Sequence, residues 1–400
     1  MNIVVAQSGG PTAAINASLL GVFRQAVKSE EIDTVFGSPF GIEGIIHDRL
    51  IPLNDLLDTE EKQSVLRQTP ASALCSCRYK LPSAEKEPVV YAAIRETLER
   101  HGVGAFFYIG GNDSMDTVEK LAAYFASVNC PIRVVGVPKT IDNDLFGTDH
   151  TPGYGSAAKY IATSMREIIR DCSVYDLDSV LIVEIMGRDA GWLTAAAALP
   201  RLVGETAPHL VYLPEVPFSV DRFIEDVQNT FEHTRTVIVA VSEGVEVDAS
   251  AFQSGKVDTF GHKYLSGVGK CLENAVRERI GCKVRSVELN ILQRCAAHIA
   301  SLTDIEEAER VGAAAVKAAL GGTTGEMATI CRESDVPYRV SYSTVPIAQV
   351  ANHTKFVPRD WINEAGNNVN DHALAYIAPL IAGELPVLTE NGLPRHLRLL

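Results

Sequence analysis

The sequence predicts an α/β protein of two doubly wound lobes, each a mostly parallel sheet between helices, with an active-site cleft between them. Three observations predict it. Short Val/Ile/Leu runs alternate with helical patterns along the chain, and such near-continuous apolar runs suit strands buried on both faces of a parallel sheet. Polar and glycine-rich clusters recur just after those runs, at the strand ends where open parallel sheets bind ligands. Finally, 400 residues are too many for one compact core.

Taken in order, residues 3–7 (IVVAQ) read as the first strand, with a helix over about 13–28. Residues 105–109 (AFFYI) lead through Gly110-Gly111-Asn112-Asp113-Ser114 into a helix that runs to about 127. Residues 132–137 (IRVVGV) end at the polar segment Pro138–Asp144. Residues 179–185 (SVLIVEI) end at MGRDAG and an alanine-rich helix. Further strands are expected at 209–213, 236–242 and 286–292, the last ending at Gln293-Arg294. The chain is expected to pass between lobes near Gly153 and Gly155 and to return near 293. One lobe then comprises 1–153 with about 293–350, the other 154–292, and 351–400 forms a C-terminal extension packed on both.

Composition excludes several function classes. With 36 Lys+Arg against 50 Asp+Glu, the net charge of −14 repels nucleic acid and acidic membranes. An anionic ligand must therefore be held by a local basic cluster. A content of 46% apolar and 22% charged residues excludes a largely disordered chain. Every long apolar run is broken by polar groups, so a membrane span is not expected. The start MNIVVAQSGG lacks the basic residues and long apolar stretch of a signal peptide, and the eight cysteines are scattered without a CxxC pair. Both point to a reducing cytoplasm. Cys75 and Cys77 read as two small side chains near a site loop rather than as metal ligands.

Three clusters carry chemistry. In Ser8-Gly9-Gly10-Pro11-Thr12 a glycine pair between strand and helix lets the backbone approach a phosphate. Its spacing fits neither GxGxxG nor GxxxxGK[ST], which disfavours a nicotinamide-dinucleotide site or a P-loop. The alternative is a turn needed only for backbone geometry. Asp113 either caps the following helix or sets a carboxylate beside a phosphate or its metal. In Pro138-Lys139-Thr140-Ile141-Asp142-Asn143-Asp144, one aspartate can take a proton from an attacking hydroxyl while the other supports a metal. Lys139 can neutralise charge on a transferred phosphoryl group. A solvated turn is the competing reading.

PKTIDND resembles the catalytic loop of the phosphofructokinases. SGG, GGND-S, TDHTPGYGSA, EIMGR, PE, SEG and the QR at 293–294 occur in that family's order, over about residues 1–300. The resemblance implies that Asp142 is the base for the 1-hydroxyl of fructose 6-phosphate, with Thr140 on the sugar and Asp144 supporting Mg²⁺. It puts Met186, Gly187 and Arg188 on the sugar phosphate and Glu243 on sugar hydroxyls. Arg285 and Arg294 match arginines that clamp the 6-phosphate, one of them supplied by a neighbouring subunit, so a homodimer or homotetramer is implied. Arg78 matches an arginine on the phosphoryl groups in flight, and Gly9 and Gly10 lie against the donor.

The family's ATP users generally carry glycine where Asp113 and Lys139 stand, and its diphosphate users carry Asp and Lys. A carboxylate at 113 would meet a nucleotide's α-phosphate; two unit charges about 4 Å apart repel by about 4 kcal/mol at an effective dielectric of about 20. The resemblance thus implies a diphosphate-dependent enzyme of glycolysis and gluconeogenesis, with catalytic Asp142, Lys139 and Asp113. Its first lobe would hold the donor and its second the sugar phosphate. Two readings compete: an ATP-dependent phosphofructokinase, and a non-catalytic regulatory subunit. Asn112 keeps the second alive, because it stands where most members have a metal-holding aspartate. Ser179, Ile291 and Cys295-Ala296 also depart from the family's pattern. In the last hundred residues, His353, Lys355, Arg359 and Trp361 either line the cleft or sit on a surface helix.

Overall fold

The computed structural model describes residues 1–247 and 267–400. Two sheets organise them. The larger is built from β1 (Asn2–Gln7), β2 (Val35–Ser38), β3 (Ile51–Pro52), β4 (Val103–Gly110) and β5 (Arg133–Pro138). The smaller contains β6 (Ser179–Ile185), β7 (Leu210–Tyr212), β8 (Thr236–Ser242) and β9 (Lys283–Glu288). The chain then returns to the first sheet with β10 (Glu326–Asp335) and β11 (Tyr338–Pro346). The strand orders are β11-β10-β5-β4-β1-β2-β3 and β7-β8-β6-β9. All pairings in the small sheet are parallel. Among the described residues of the large sheet, the outer pairs β10–β11 and β2–β3 are antiparallel and the others parallel.

Strand alternation explains why these runs are apolar throughout. Ile3 and Val5 of β1 and Phe107 and Ile109 of β4 face a core shared with the helices Ile15–Ala26 and Leu302–Leu320. Val4, Ala6, Phe106 and Tyr108 face the opposite core, closed by Met115, Val118 and Leu121 of the helix Asn112–Ser127. Residues with period two thus need apolar character on both phases. In the small sheet, Leu181, Val183 and Ile185 pack on the helix Tyr154–Cys172. Val180 and Ile182 pack on Phe223, Val227 and Leu272.

Residues 351–400 contribute to both cores: Val357, Ile362, Leu374 and Ile377 to that of the small sheet, and Leu399 to that of the large one. The 154–292 stretch includes 248–266, which lie outside the described residues. Among the described residues no helix is long and apolar enough to cross a membrane.

The strand expected at 286–292 is displaced. β9 begins at Lys283, and after Glu288 the chain turns into the short helix Leu292–Cys295. The displacement has a physical reason: β9 is an edge strand, exposed along most of its length, so it lacks the apolar run that marks a buried strand. β10 and β11 carry a weaker signal: β10 is buried only over residues 327–330, and the edge strand β11 alternates half-buried and exposed residues along most of its length.

Candidate active site

The carboxyl ends of β1, β4, β5, β6 and β8 open into one cleft of about 450 Å³. Ser8–Thr12 line it after β1, Gly111–Ser114 after β4, Lys139–Asp142 and Asp144 after β5, Met186 and Arg188 after β6, and Glu243 after β8. Arg78 and Arg294 complete its basic groups.

On the large-sheet side the backbone is bare. Gly9 has φ 75°, and a Cβ there would stand 3.3 Å from Lys139 Nζ, so a side chain would meet both a strained backbone and the ammonium. Lys139 is 2% exposed and donates to the Gly10 carbonyl at 2.7 Å. Burial pulls its pKa down to about 8, against the attraction of Asp142; Arg294 pushes the same way as burial. Arg294 Nη1 lies 3.7 Å from where a Gly10 Cβ would be, so this guanidinium also reaches the glycine turn.

Asp113 does not cap its helix. Gly111 is the N-cap, and Asp113 sits exposed in the first turn, lining the cleft. Beside it, Asn112 Oδ1 is buried without a hydrogen-bond partner.

The Asp142–Asp144 loop is not a solvated turn. Asn143 at its centre is 0% exposed and adopts φ 54°. It is held there by its own side chain, which donates to Tyr376 Oη at 3.0 Å and accepts from the Thr151 N–H at 3.1 Å. Asp142 accepts from Thr140 Oγ1 at 3.3 Å. Burial raises the Asp142 pKa, while Thr140, Arg188 and Lys139 hold it down. Burial, then the neighbouring Asp142, push Asp144 up to about 7. Glu243 is likewise raised by burial to about 7, although the Gly187 N–H donates to it at 3.4 Å.

The cleft lining therefore carries four cations (Arg78, Lys139, Arg188, Arg294) and five carboxylates (Asp113, Asp142, Asp144, Asp189, Glu243). Two phosphate-bearing ligands would add further negative charge. The unpartnered Asn112 oxygen and the crowded, buried aspartates fit a hard divalent cation, which prefers oxygen donors. Among the described residues no three His, Cys, Asp or Glu side chains form a metal cluster by themselves. Such an ion would thus take few protein ligands and complete its shell with oxygens of a bound ligand or water.

A family model described as phosphofructokinase matches residues 2–319. The chain belongs to the phosphofructokinase family. It is 40% identical over 403 residues to the pyrophosphate–fructose 6-phosphate 1-phosphotransferase of Halomonas elongata, covering 100% of this chain and 96% of that enzyme. It is 41% identical to the enzyme of the same name from Xanthomonas campestris pv. campestris, with the same coverage. The crystal structure of the pyrophosphate-dependent phosphofructokinase from Nitrosospira multiformis superposes with a TM-score of 0.88 at 36% identity, covering 99% of this chain and 96% of that one.

This phosphofructokinase brings all but two of its sequence-predicted site residues to the cleft wall. Gly187 lies just behind it: its N–H faces Glu243 and its carbonyl accepts from Ser242, while Met186 and Arg188 on either side line the cleft. Arg285 is exposed on β9, outside the cleft. Sequence reasoning missed Asp189, Tyr79, Asn352 and Thr354, which also line it. Asp189 follows directly on the MGR motif and could have been read from that adjacency. Asn352 and Thr354 carried no signal, because their segment reaches the cleft through an isolated bridge between Leu145 and Thr354. Of the four tail residues singled out, none lines the cleft; Arg359 and Trp361 lie on a short 3-10 helix without buried residues, and His353 and Lys355 lie on no helix. Trp361 packs edge-on to Trp192, and the Lys355 ammonium is turned inward.

Proposed function

We propose that this chain transfers a phosphoryl group from inorganic diphosphate to the 1-hydroxyl of fructose 6-phosphate, reversibly, giving fructose 1,6-bisphosphate and phosphate. The observation that carries the reading is that Asp113 and Lys139, the pair that disfavours a nucleotide and favours an inorganic donor, share one cleft with the base Asp142. Full-length relatives at about 40% identity bear the corresponding name.

In this reading the lobe of the large sheet, residues 1–153 with about 293–350, holds the diphosphate. Residues 154–292 hold the sugar phosphate, and 351–400 pack on both. The Gly9-Gly10 backbone approaches the donor. Lys139 and Arg78 meet its charge, and Lys139 stabilises the departing phosphate. Asp142 accepts the proton of the 1-hydroxyl; its raised pKa makes it a stronger base than an exposed aspartate. Thr140, Met186, Gly187, Arg188 and Glu243 orient the sugar, and Arg294 faces its 6-phosphate. Aligning both reactants accounts for about 7–11 kcal/mol of barrier lowering in well-oriented systems.

Mg²⁺, bound by Asn112 and Asp144 together with the donor, would supply charge neutralisation for the phosphoryl oxygens. Arg285, exposed on an edge strand, is assigned to the 6-phosphate site of a second copy, in a cytoplasmic homodimer or homotetramer. A coupled assay decides the donor: turnover is expected with Mg²⁺ and diphosphate and not with Mg²⁺ and ATP. Equal turnover with ATP would refute the reading. The double variant Asp113→Gly, Lys139→Gly should lose diphosphate activity and gain any ATP activity it shows.

A further inference from the structure

The loop that carries Asp142 and Asp144 is held from behind by a part of the chain beyond the matched family region, which ends at residue 319. Asn143 is the pivot. It is fully buried and lies in the left-handed region, which asparagine enters more readily than other side-chain-bearing residues, so its side chain is free to act as an anchor there. Three groups hold its side chain. The Thr151 N–H donates to Oδ1, and Nδ2 donates to Tyr376 Oη. The Lys355 ammonium also donates to Oδ1 at 3.3 Å.

Lys355 does more than touch Asn143. Its Nζ donates to the Asp149 carbonyl at 2.6 Å and lies 3.4 Å from the Thr148 carbonyl. Its own N–H donates to the Asp144 carbonyl at 2.8 Å. Its carbonyl accepts from Trp192 Nε1 at 2.9 Å, and the ammonium stands over the Trp192 ring, 5.2 Å from the centroid. Side chain and backbone of this one residue thus join both ends of the 143–149 turn to a helix of the other sheet's core. An ammonium suits this task, since it offers three donors that can point at three separate carbonyl-type oxygens.

We propose that Lys355 is a positioning residue for phosphoryl transfer: by clamping Asn143 and the 144–149 turn, it sets where Asp142 and Asp144 stand. Lys355 does not line the cleft, so it acts through the loop and not on the substrates. The inference rests on the proposed role of Asp142 as base.

The test compares steady-state kinetics of the parent with Lys355→Met, Lys355→Arg, Asn143→Gly and the Lys355→Met, Asn143→Gly double variant. A displacement of about 1 Å can cost about 10²-fold in rate. Lys355→Met should therefore lower kcat by about that factor, with KM for both substrates within about threefold of the parent. Lys355→Arg keeps a charged donor and should recover part of the loss. Glycine keeps the left-handed backbone but removes the anchor, so Lys355→Met should cost less when added to Asn143→Gly than when made alone. The proposal is overturned if kcat stays within about threefold in Lys355→Met, if only KM changes, or if the two losses multiply independently. Should Lys355→Met fail to fold, Asn143→Gly decides alone: a lowered kcat at constant KM supports the clamp, and an unchanged kcat overturns it. All readouts are ratios on whichever donor the parent uses. A parent that turned over only ATP would therefore refute the proposed donor and leave this test intact.

Discussion

On the large-sheet side of the cleft, the glycine turn, Lys139 and the 140–144 loop lie together; Lys139 is bonded to the turn, and the loop is anchored to Tyr376 and Thr151. On the small-sheet side, Met186, Arg188 and Glu243 reach the cleft, but Arg285 stands outside it on β9. Among the described residues that strand leaves one edge unpaired, and exposed Val287, Ile291 and Leu292 lie on it or just after it. An open edge flanked by apolar side chains is a surface that invites pairing. The two sides are thus built differently: on the first the candidate residues line one cleft, and on the second one of the candidate arginines stands outside it. Variants on the two sides should therefore fail differently, the first in kcat and the second in KM.

The largest effect should come from Asp142→Asn. The amide keeps the shape and the bond to Thr140 but cannot accept the hydroxyl proton, and general-base catalysis is worth about 10²–10⁴-fold. Turnover should drop by that factor while fructose 6-phosphate still binds, as read by calorimetry on the variant. A drop of less than about tenfold would remove Asp142 from the role of base.

On the large-sheet side the sequence disclosed the glycine turn, Asp113, Lys139 and Asp142, because each follows a strand buried on both faces, whereas Arg78 follows no strand and came from the resemblance alone. The apolar run marks the strand, and the polar residues that follow are then known to lie at its carboxyl end. Lys139 and Asp142 were legible for that reason. Arg285 lies on an edge strand whose outer face needs no apolar side chains, so neither its strand limits nor its distance from the cleft could be read. Thr354 and Lys355 come from irregular chain more than 200 residues after the loop they touch, and Asn352 stands beside them. Periodicity carries no information about such a contact; only the packed structure brings it out.

The next effect down tests the charge on Lys139. Its pKa lies near 8 because burial disfavours the ammonium. The charged form is the one that meets phosphate, so activity should fall as pH rises through about 8. Between about 8 and 10.5 the unfolded chain holds a proton on this lysine that the folded chain lacks, so its contribution makes stability rise with pH. Lys139→Arg should flatten the activity decline, since guanidinium stays charged. Lys139→Met should lower kcat by about 10²–10³-fold at neutral pH. A decline that persists unchanged in Lys139→Arg would assign it to another group.

Arg285→Ala sharpens the contrast between the two sides. A charge-assisted hydrogen bond to phosphate contributes about 1.5–3 kcal/mol, so KM for fructose 6-phosphate should rise by about 10–100-fold with kcat nearly kept. Mixing this variant with an Asp142→Asn variant, under conditions where subunits exchange, tests whether the arginine serves a partner. A cleft with both Asp142 and a partner's Arg285 would reappear, and low-KM activity with it. No recovery on exchange would confine Arg285 to its own chain.

The smallest effect is expected where the two sides are joined. Asp304 is 2% exposed and accepts from the N–H groups of Gly153 and Ser156 at 2.8 and 2.9 Å, and from Ser156 Oγ. It thereby fixes the start of the helix Tyr154–Cys172, at the point where the chain crosses from one sheet to the other. Gly153 also bridges to Thr140, so the crossing is tied to the catalytic loop. Asp304→Ala leaves buried donors without a partner, at a cost of about 1–3 kcal/mol for each left unpaired. Thermal or denaturant unfolding should register that loss. The catalytic loop keeps its other anchors at Tyr376, Thr151 and Lys355, so kcat on the folded enzyme should fall by less than about threefold. A larger fall in kcat than in stability would mean that the crossing, and not the loop's own anchors, fixes the position of Asp142.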